Sequence, residues 1–542
     1  MRGASCFDNV LARSSSETSR TWQVLREVCV ALILAAGVAL VSSTARADEY
    51  TDKLNEPLAK IPPERRAETI LLPLLANLQT PPRVVEDRSR AMLMQPSFVG
   101  WSDANAWAQA PSQRAILDGL ALITKEENPL KAHVFALGYG AEATPRQAVR
   151  DKLYIELGDP PTIAAAELHY LPSLDRMVTL IHVEAARLAS EGKVPDAVDL
   201  LINSAHFGRI MMDRPLMRES KWGIDLMSES MERIRDILYV DTRTVRSMQL
   251  DRVQIQIKRM SVENSFLDFS RTKVPLGDVL GVSQVVSRVY KQDGKVDDRT
   301  FAQTLARLGS VEYPLRLFSE ASRWKALESG QSDRFACEQI IRGVNADFTR
   351  RWQIDWWDRH MGTPSELDNV NREKFSAISA SIKDQRPILD ALQIARIEIG
   401  GTRTNLALVA QWYNTKNMPT SIALIRPRWV DKLDIDYFDA SRLSGSFPRF
   451  QFVIPMTDRR GLRAGEQAAP LDMSVVPKMG APFSVPLRDD VWVVYSVGSD
   501  TQANGARRVQ NTATKVQNAD YLIWPPMLSL YRQNLVDLGD LK

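Results

Sequence analysis

The most regular hydrophobic pattern in the chain is helical and lies between residues 171 and 212. Apolar residues recur there at spacings of three and four, which places them on one helix face. The first stripe comprises Leu174, Met177, Ile181, Ala185 and Leu188. A second stripe, over residues 198–212, follows a break at Gly192. Two apolar stripes joined by a short turn must pack against each other, so the pattern predicts an antiparallel helical hairpin.

The period changes in the last third of the chain. A further stripe over residues 392–413 predicts a long helix, and alternation beyond it predicts strands. We expect a strand at 450–454, a β-hairpin over 486–495 that turns at Asp489-Asp490, and a long exposed loop over 457–482. The predicted class is α+β, with a mostly helical N-terminal and central region followed by a long helix and an antiparallel sheet.

The change of period suggests a domain boundary near residue 386. We divide the 542-residue chain into a signal peptide, a helical N-terminal region, an α-helical domain with helical hairpins and a C-terminal α+β domain. These units are residues 1–47, 48–170, 171–386 and 387–542.

The N-terminus indicates export. An uncharged apolar run from Val28 to Val41 follows several arginines and precedes Ala45-Arg46-Ala47, the three-part pattern of a cleaved secretory signal. The alternative is an uncleaved membrane anchor, and only in that case do we expect contact with a membrane. Both interpretations place the rest of the chain outside the cytoplasm, in the periplasm, on the cell surface or in the medium.

Charge and cysteine content exclude one class of partner and one kind of cross-link. The 69 basic and 66 acidic residues are interspersed and leave a formal charge of +3, so no nucleic-acid partner is expected. Of three cysteines, Cys6 and Cys29 belong to the predicted signal. Only Cys337 remains, which excludes an intrachain disulfide in the exported chain.

Five short motifs in the last third occur in an order that resembles the globular domain of type II secretion pseudopilins. They are a helix end at 406–413, a turn at 417–422, a loop at 436–440, a Tyr-Ser-Val-Gly-Ser-Asp segment at 495–500 and a closing segment at 520–526. Tyr437 and Ala440 replace the family's Pro and Gly. The pilin-type processing site is absent from the sequence, so we do not expect polymerisation into a pseudopilus.

The resemblance implies a calcium site after the hairpin. Asp500, Asn504 and Asp520 are the candidate ligands, because alternate oxygen-bearing side chains in such a loop can surround a hard cation. The alternative is that Asp and Asn side chains cap the turns of a polar loop. Calcium is the sole cofactor that the sequence suggests.

Catalytic motifs are sparse. The five histidines form no H-E-x-x-H pattern, and no Walker, Rossmann or G-x-S-x-G sequence occurs. Two S-x-x-K matches, Ser270 with Lys273 and Ser322 with Lys325, could pair a nucleophile with a base. The sequence therefore predicts an exported, non-enzymatic binding or assembly protein whose partners are other envelope or secreted proteins. A secreted hydrolase with an unrecognised active site is the alternative.

Overall fold

The described part of the chain covers most of the sequence after the predicted signal. A computed structural model describes residues 48–242, 249–261, 267–310, 314–417, 419–441, 447–455, 471–478, 480–487, 492–512 and 518–542. The predicted signal peptide lies outside these ranges. No helix within them has both the length and the apolar character needed to cross a membrane.

Helices dominate the described residues before residue 416. The N-terminal region contains α1 Glu49–Ala59, α2 Ala67–Leu75, α3 Arg88–Leu93, α4 Trp101–Ala108, α5 Pro111–Ile123 and α6 Arg146–Arg150. The central region contains α7 Leu171–Ser190, α8 Val194–Met212, α9 Met217–Thr242, α10 Leu250–Arg259, α11 Gly277–Val289, α12 Phe301–Ser310, α13 Leu317–Leu327, α14 Arg334–Gln353 and α15 Ser376–Ser381. The C-terminal region contains α16 Arg386–Thr415 and α17 Met527–Leu538. The predicted α+β, mostly helical class is confirmed.

The predicted helical hairpin forms from α7 and α8. Its turn includes Gly192, whose φ of +74° is a backbone conformation that glycine adopts without strain. Helix α9 then packs closely on α8. A Cβ atom on Gly223 would lie 2.3 Å from the carbonyl oxygen of Gly208, so the two backbones approach each other through paired glycines.

The C-terminal region combines the long helix α16 with a six-stranded sheet. The strands are β3 Gln451–Val453, β4 Leu471–Val476, β5 Phe483–Leu487, β6 Val493–Ser496, β7 Arg508–Gln510 and β8 Asp520–Trp524. A separate two-stranded hairpin, β1 Ile155–Glu156 and β2 Glu167–Leu168, lies in the N-terminal region. Helix α16 packs on the sheet at Gly401, where a Cβ atom would lie 2.6 Å from Cγ2 of Ile523.

The sheet topology corrects three details of the sequence interpretation. The strand order is β3-β6-β8-β7-β4-β5, so β5 and β6 are not neighbours and do not pair as the expected hairpin. The predicted turn at Asp489-Asp490 lies outside the described residues. Strand β5 instead pairs antiparallel with β4, which lies inside the segment expected to be a loop. The sheet is also mixed, because β7 runs parallel to both of its neighbours. Local alternation predicts strands well, but it does not determine which strands pair.

One apolar core crosses the predicted boundary near residue 386. Leu392 and Ile399 of α16 belong to the same buried cluster as Leu226 and Ile234 of α9. A second cluster lies among α11, α12, α14 and α15, and a third lies on one face of the sheet. Helix α16 begins at the predicted boundary, and the division into domains stays a prediction.

Candidate functional sites

The described structure brings together two of the motifs on which the pseudopilin resemblance depends. Asp436, from the 436–440 loop, is fully buried. One of its carboxylate oxygens accepts a hydrogen bond from the Ser496 hydroxyl at 2.6 Å, and the other accepts one from the Val497 N–H at 3.0 Å. Burial raises the pKa of Asp436 to about 7, although the hydrogen bonds from Ser496, Phe438 and Val497 act in the opposite direction. The loop is therefore tied to the end of β6 by a buried carboxyl group.

The three predicted calcium ligands also lie near one another. The backbone N–H of Asn504 donates to the Asp520 carboxylate at 3.0 Å. Burial, with a smaller contribution from the neighbouring Asp500 carboxylate, raises the pKa of Asp520 to about 6, although the hydrogen bonds from Asn504 and Ala506 act in the opposite direction. The loop after β6 and the start of β8 thus form one acidic corner of the sheet.

Backbone amides point at both carboxylates in this corner. Asp500 accepts hydrogen bonds from the N–H groups of Gln502 at 3.1 Å and Asn518 at 2.8 Å. Asp520 accepts one from Ala506 at 2.8 Å. These contacts are those of the turn-capping alternative, in which Asp side chains satisfy loop N–H groups. Calcium binding here stays a prediction.

The S-x-x-K pairs do not form a described catalytic dyad. Ser322 is exposed and its hydroxyl donates to the carbonyl of Phe318 at 3.1 Å. Lys325 pairs with Glu328 at 2.9 Å, which raises the pKa of the lysine. A lysine held in its protonated form cannot accept the serine proton. The side chain of Ser270 lies outside the described part of the structure.

The cysteine in the described part of the chain is enclosed. Cys337 is fully buried, and its sulfur contacts the Tyr290 hydroxyl at 3.4 Å. Burial raises the pKa of the thiol. Because the thiolate is the reactive form, Cys337 has the environment of a structural cysteine rather than that of a nucleophile.

An open groove of about 670 Å³ lies between strand β5 and helix α17. The groove is lined by apolar residues from α9, β5, α17 and the segment between α3 and α4, among them Phe98, Val240, Phe483, Val485, Leu530 and Val536. Val240 and Val536 remain 43% and 39% exposed. Arg532, the basic residue in the lining, is already paired with Asp236. We call this feature the C-terminal groove.

Strand β5 presents backbone groups at the open side of this groove. The N–H of Ser474 in β4 donates to the carbonyl oxygen of Arg507, on the side away from β5. Because backbone direction alternates along a strand, the N–H and C=O groups of Met473 and Val475 point towards β5. Their partners in β5 are Val485 and Phe483. The intervening Ser484 consequently directs its N–H and C=O away from β4. Pro486 directs only its C=O away from β4, because proline has no N–H.

The β1–β2 hairpin carries a cluster of potential metal ligands that the sequence pattern does not predict. Glu156, Glu167 and His169 place one potential ligand atom each within 4.8 Å of the other two. The His169 Nε2 atom lies 2.8 Å from Glu156 and 3.7 Å from Glu167. The strands are only two residues long, so periodicity could not reveal them, and the spacing of the three residues matches no metal motif.

Comparison of the chain with protein-family models, curated proteins and solved structures found no match in any of the three.

Proposed function

We propose that this chain is an exported binding or assembly protein that holds an extended apolar segment of another envelope or secreted protein in the C-terminal groove. The observation that carries the proposal is the groove itself. Its open apolar side chains lie beside an edge strand, and this combination suits a polypeptide better than a small polar substrate.

The chemistry of the groove also favours binding over turnover. Ser529 and Arg532 both bind the buried carboxylate of Asp236. Neither is therefore poised as a free nucleophile or base. Asp537, on the rim, accepts a hydrogen bond from Gln533 at 2.8 Å. A general acid–base pair requires two groups within reach of one reacting atom, and the polar contacts of these side chains are made within the protein.

The edge strand limits what the groove accepts. Ser484 offers one complete backbone pair, an N–H and a C=O, whereas Pro486 offers only its carbonyl. Prolines at a sheet edge suppress indiscriminate strand pairing. Recognition would consequently depend on apolar side chains that enter the groove, with one backbone pair setting the register.

Site-directed photo-crosslinking tests this proposal. A photoreactive residue at Ser484 or Val536 is expected to form an adduct with one specific polypeptide in cells that export the chain. The same probe at Leu130, which is 80% exposed and lies outside the groove, should not form it. Once the partner is identified, Val536→Lys should abolish its co-purification and Leu130→Lys should retain it.

Three results would oppose the proposal: equal adducts at Leu130, retention of the partner by Val536→Lys, or labelling by a serine-reactive probe that Ser322→Ala removes. The last result would favour the hydrolase alternative.

We also propose that calcium binds at the Asp500–Asp520 corner and stabilises the folded chain. If calcium binds, a chelator should lower the melting temperature of the purified chain, and added calcium should restore it. Asp500→Asn should remove the response because it removes one ligand charge. An unchanged melting temperature in the wild-type chain would leave only the turn-capping role for these residues.

A further inference from the structure

The β1–β2 hairpin brings two like charges into direct opposition. Its register pairs Glu156 with Glu167 across the strands. Like charges at directly opposed positions destabilise a strand pair. His169 follows β2, and its ring approaches both carboxylates. One imidazolium proton can neutralise only one of the two charges, whereas a divalent cation would neutralise both.

The separations among the three ligand atoms suit a small metal ion. Ligand atoms about 2.0 Å from a tetrahedral Zn²⁺ are about 3.3 Å apart. The distances from His169 Nε2 to the two glutamates, 2.8 Å and 3.7 Å, lie on either side of that value. Small rotations of exposed carboxylates would bring all three atoms to coordinating positions without a change in the backbone.

Glu156 accepts a hydrogen bond from a neighbouring side chain, as the ligands of metal ions commonly do. The Tyr154 hydroxyl donates to the carboxylate oxygen that faces His169, at 3.0 Å. Hydrogen bonds of this kind orient first-sphere ligands and tune their affinity.

The hairpin is also held firmly in place. Ile155 and Leu168 are buried beneath it, so the alternating side chains of each strand anchor one face and present the glutamates on the other. Gln284 of α11 accepts a hydrogen bond from the Ile163 N–H at 2.8 Å within the connecting loop. Ligands on a fixed scaffold lose less conformational entropy when they bind an ion.

We propose that Glu156, Glu167 and His169 form a zinc site with three protein ligands and a fourth position open to water. The imidazole nitrogen favours zinc over calcium or magnesium, which prefer all-oxygen ligands. Both glutamates also line a groove of about 210 Å³ beside α11 and α12, which leaves room for the fourth ligand. This site is separate from the C-terminal groove and does not depend on the function proposed for it.

Zinc titration of the purified chain at pH 7.5 against a chromophoric chelator tests the proposal. We expect one zinc ion per chain, and binding of Co²⁺ at the same site should give a visible absorption spectrum. Glu156→Gln and His169→Gln should each weaken zinc binding by at least about ten-fold, since even loss of a supporting outer partner costs about 10–100-fold. Both side chains are at the surface, so circular dichroism should show folded variants.

His360 supplies a matched control. It pairs with a single carboxylate, Asp347, at 2.7 Å, and in the described structure it has no place in a three-ligand cluster. His360→Gln should leave the zinc affinity and the Co²⁺ spectrum unchanged. Absence of binding at micromolar zinc would show that Glu156, Glu167 and His169 form an ion pair only. Binding that survives His169→Gln, or is lost in His360→Gln, would also overturn the assignment.

Discussion

At the scale of single residues, the buried carboxyl group of Asp436 links two sequence motifs that lie 60 residues apart. Its hydrogen bonds to Ser496 and Val497 explain why an aspartate occupies this position, because an apolar residue would leave a buried N–H without an acceptor. The sequence resemblance identified both motifs. The contact between them is a product of the fold.

Asp436 should contribute to the pH dependence of stability. Its pKa is raised from 3.8 to about 7, so the folded state binds a proton that the unfolded state releases between these values. The free energy of unfolding therefore falls as pH rises from about 4 to about 7. In Asp436→Asn this contribution disappears, and the difference between wild type and variant should change by about 3 kcal/mol across that interval.

Urea unfolding at a series of pH values measures this difference. Asp431→Asn is the control, because Asp431 is an exposed acidic residue in the segment that precedes Asp436. Parallel pH profiles for wild type and Asp436→Asn would contradict the expected role.

At the scale of elements, the contact between α8 and α9 requires glycine. A Cβ atom on Gly223 would collide with the backbone oxygen of Gly208, and backbone cannot move aside as a side-chain tip can. Helix propensity alone gives the opposite expectation, since Ala is favoured over Gly by about 1 kcal/mol in a helix interior. Packing therefore decides the residue at this crossing.

Gly223→Ala is expected to lower the free energy of unfolding by about 1–3 kcal/mol, the usual cost of overpacking. Gly343, in the interior of α14, has no atom within 4 Å of the position a Cβ would take. Gly343→Ala should accordingly raise the free energy of unfolding by about 0.5–1 kcal/mol. Chemical denaturation of both variants provides the comparison. An unchanged or raised free energy of unfolding in Gly223→Ala would contradict the close contact between α8 and α9.

At the scale of the whole molecule, a buried ion network ties the C-terminal helix to the centre of the protein. Asp236 of α9 accepts hydrogen bonds from Arg532 of α17 at 2.7 and 2.8 Å, and Arg233 pairs with it as well. Burial alone would raise the pKa of Asp236, but the positive charges of Arg532 and Arg233 lower it below its usual value. Arg532 also donates to the backbone carbonyls of Met92 and Leu93, so this one side chain links α17 to both α9 and α3.

Asp236→Ala should destabilise the whole protein by about 3–5 kcal/mol, because it leaves two buried guanidinium groups without their shared partner. Asp537→Ala, at an exposed position on α17, should change stability by less than about 0.5 kcal/mol. Tryptophan fluorescence and far-ultraviolet circular dichroism should report one coincident transition. Two separate transitions would show that residues 387–542 unfold independently, as the predicted domain boundary suggests.

The local features of this protein follow from its amino-acid pattern. Periodic apolar stripes located α7, α8 and α16 because a helix must place its apolar residues on one face, and alternation located β3 and β6 for the corresponding reason in strands. In α16, a Cβ atom on Gly401 would collide with Ile523, so close packing and not helix propensity accounts for the glycine at this position.

Strand order, strand register and the two grooves depend on which distant segments come together in the folded chain. Strand order placed β5 at the edge of the sheet and so produced the C-terminal groove, while a two-residue register placed Glu156 opposite Glu167. Neither relation is encoded in the spacing of residues along the chain. Strand pairing and core packing are collective, because each contact is favourable only when many others form with it.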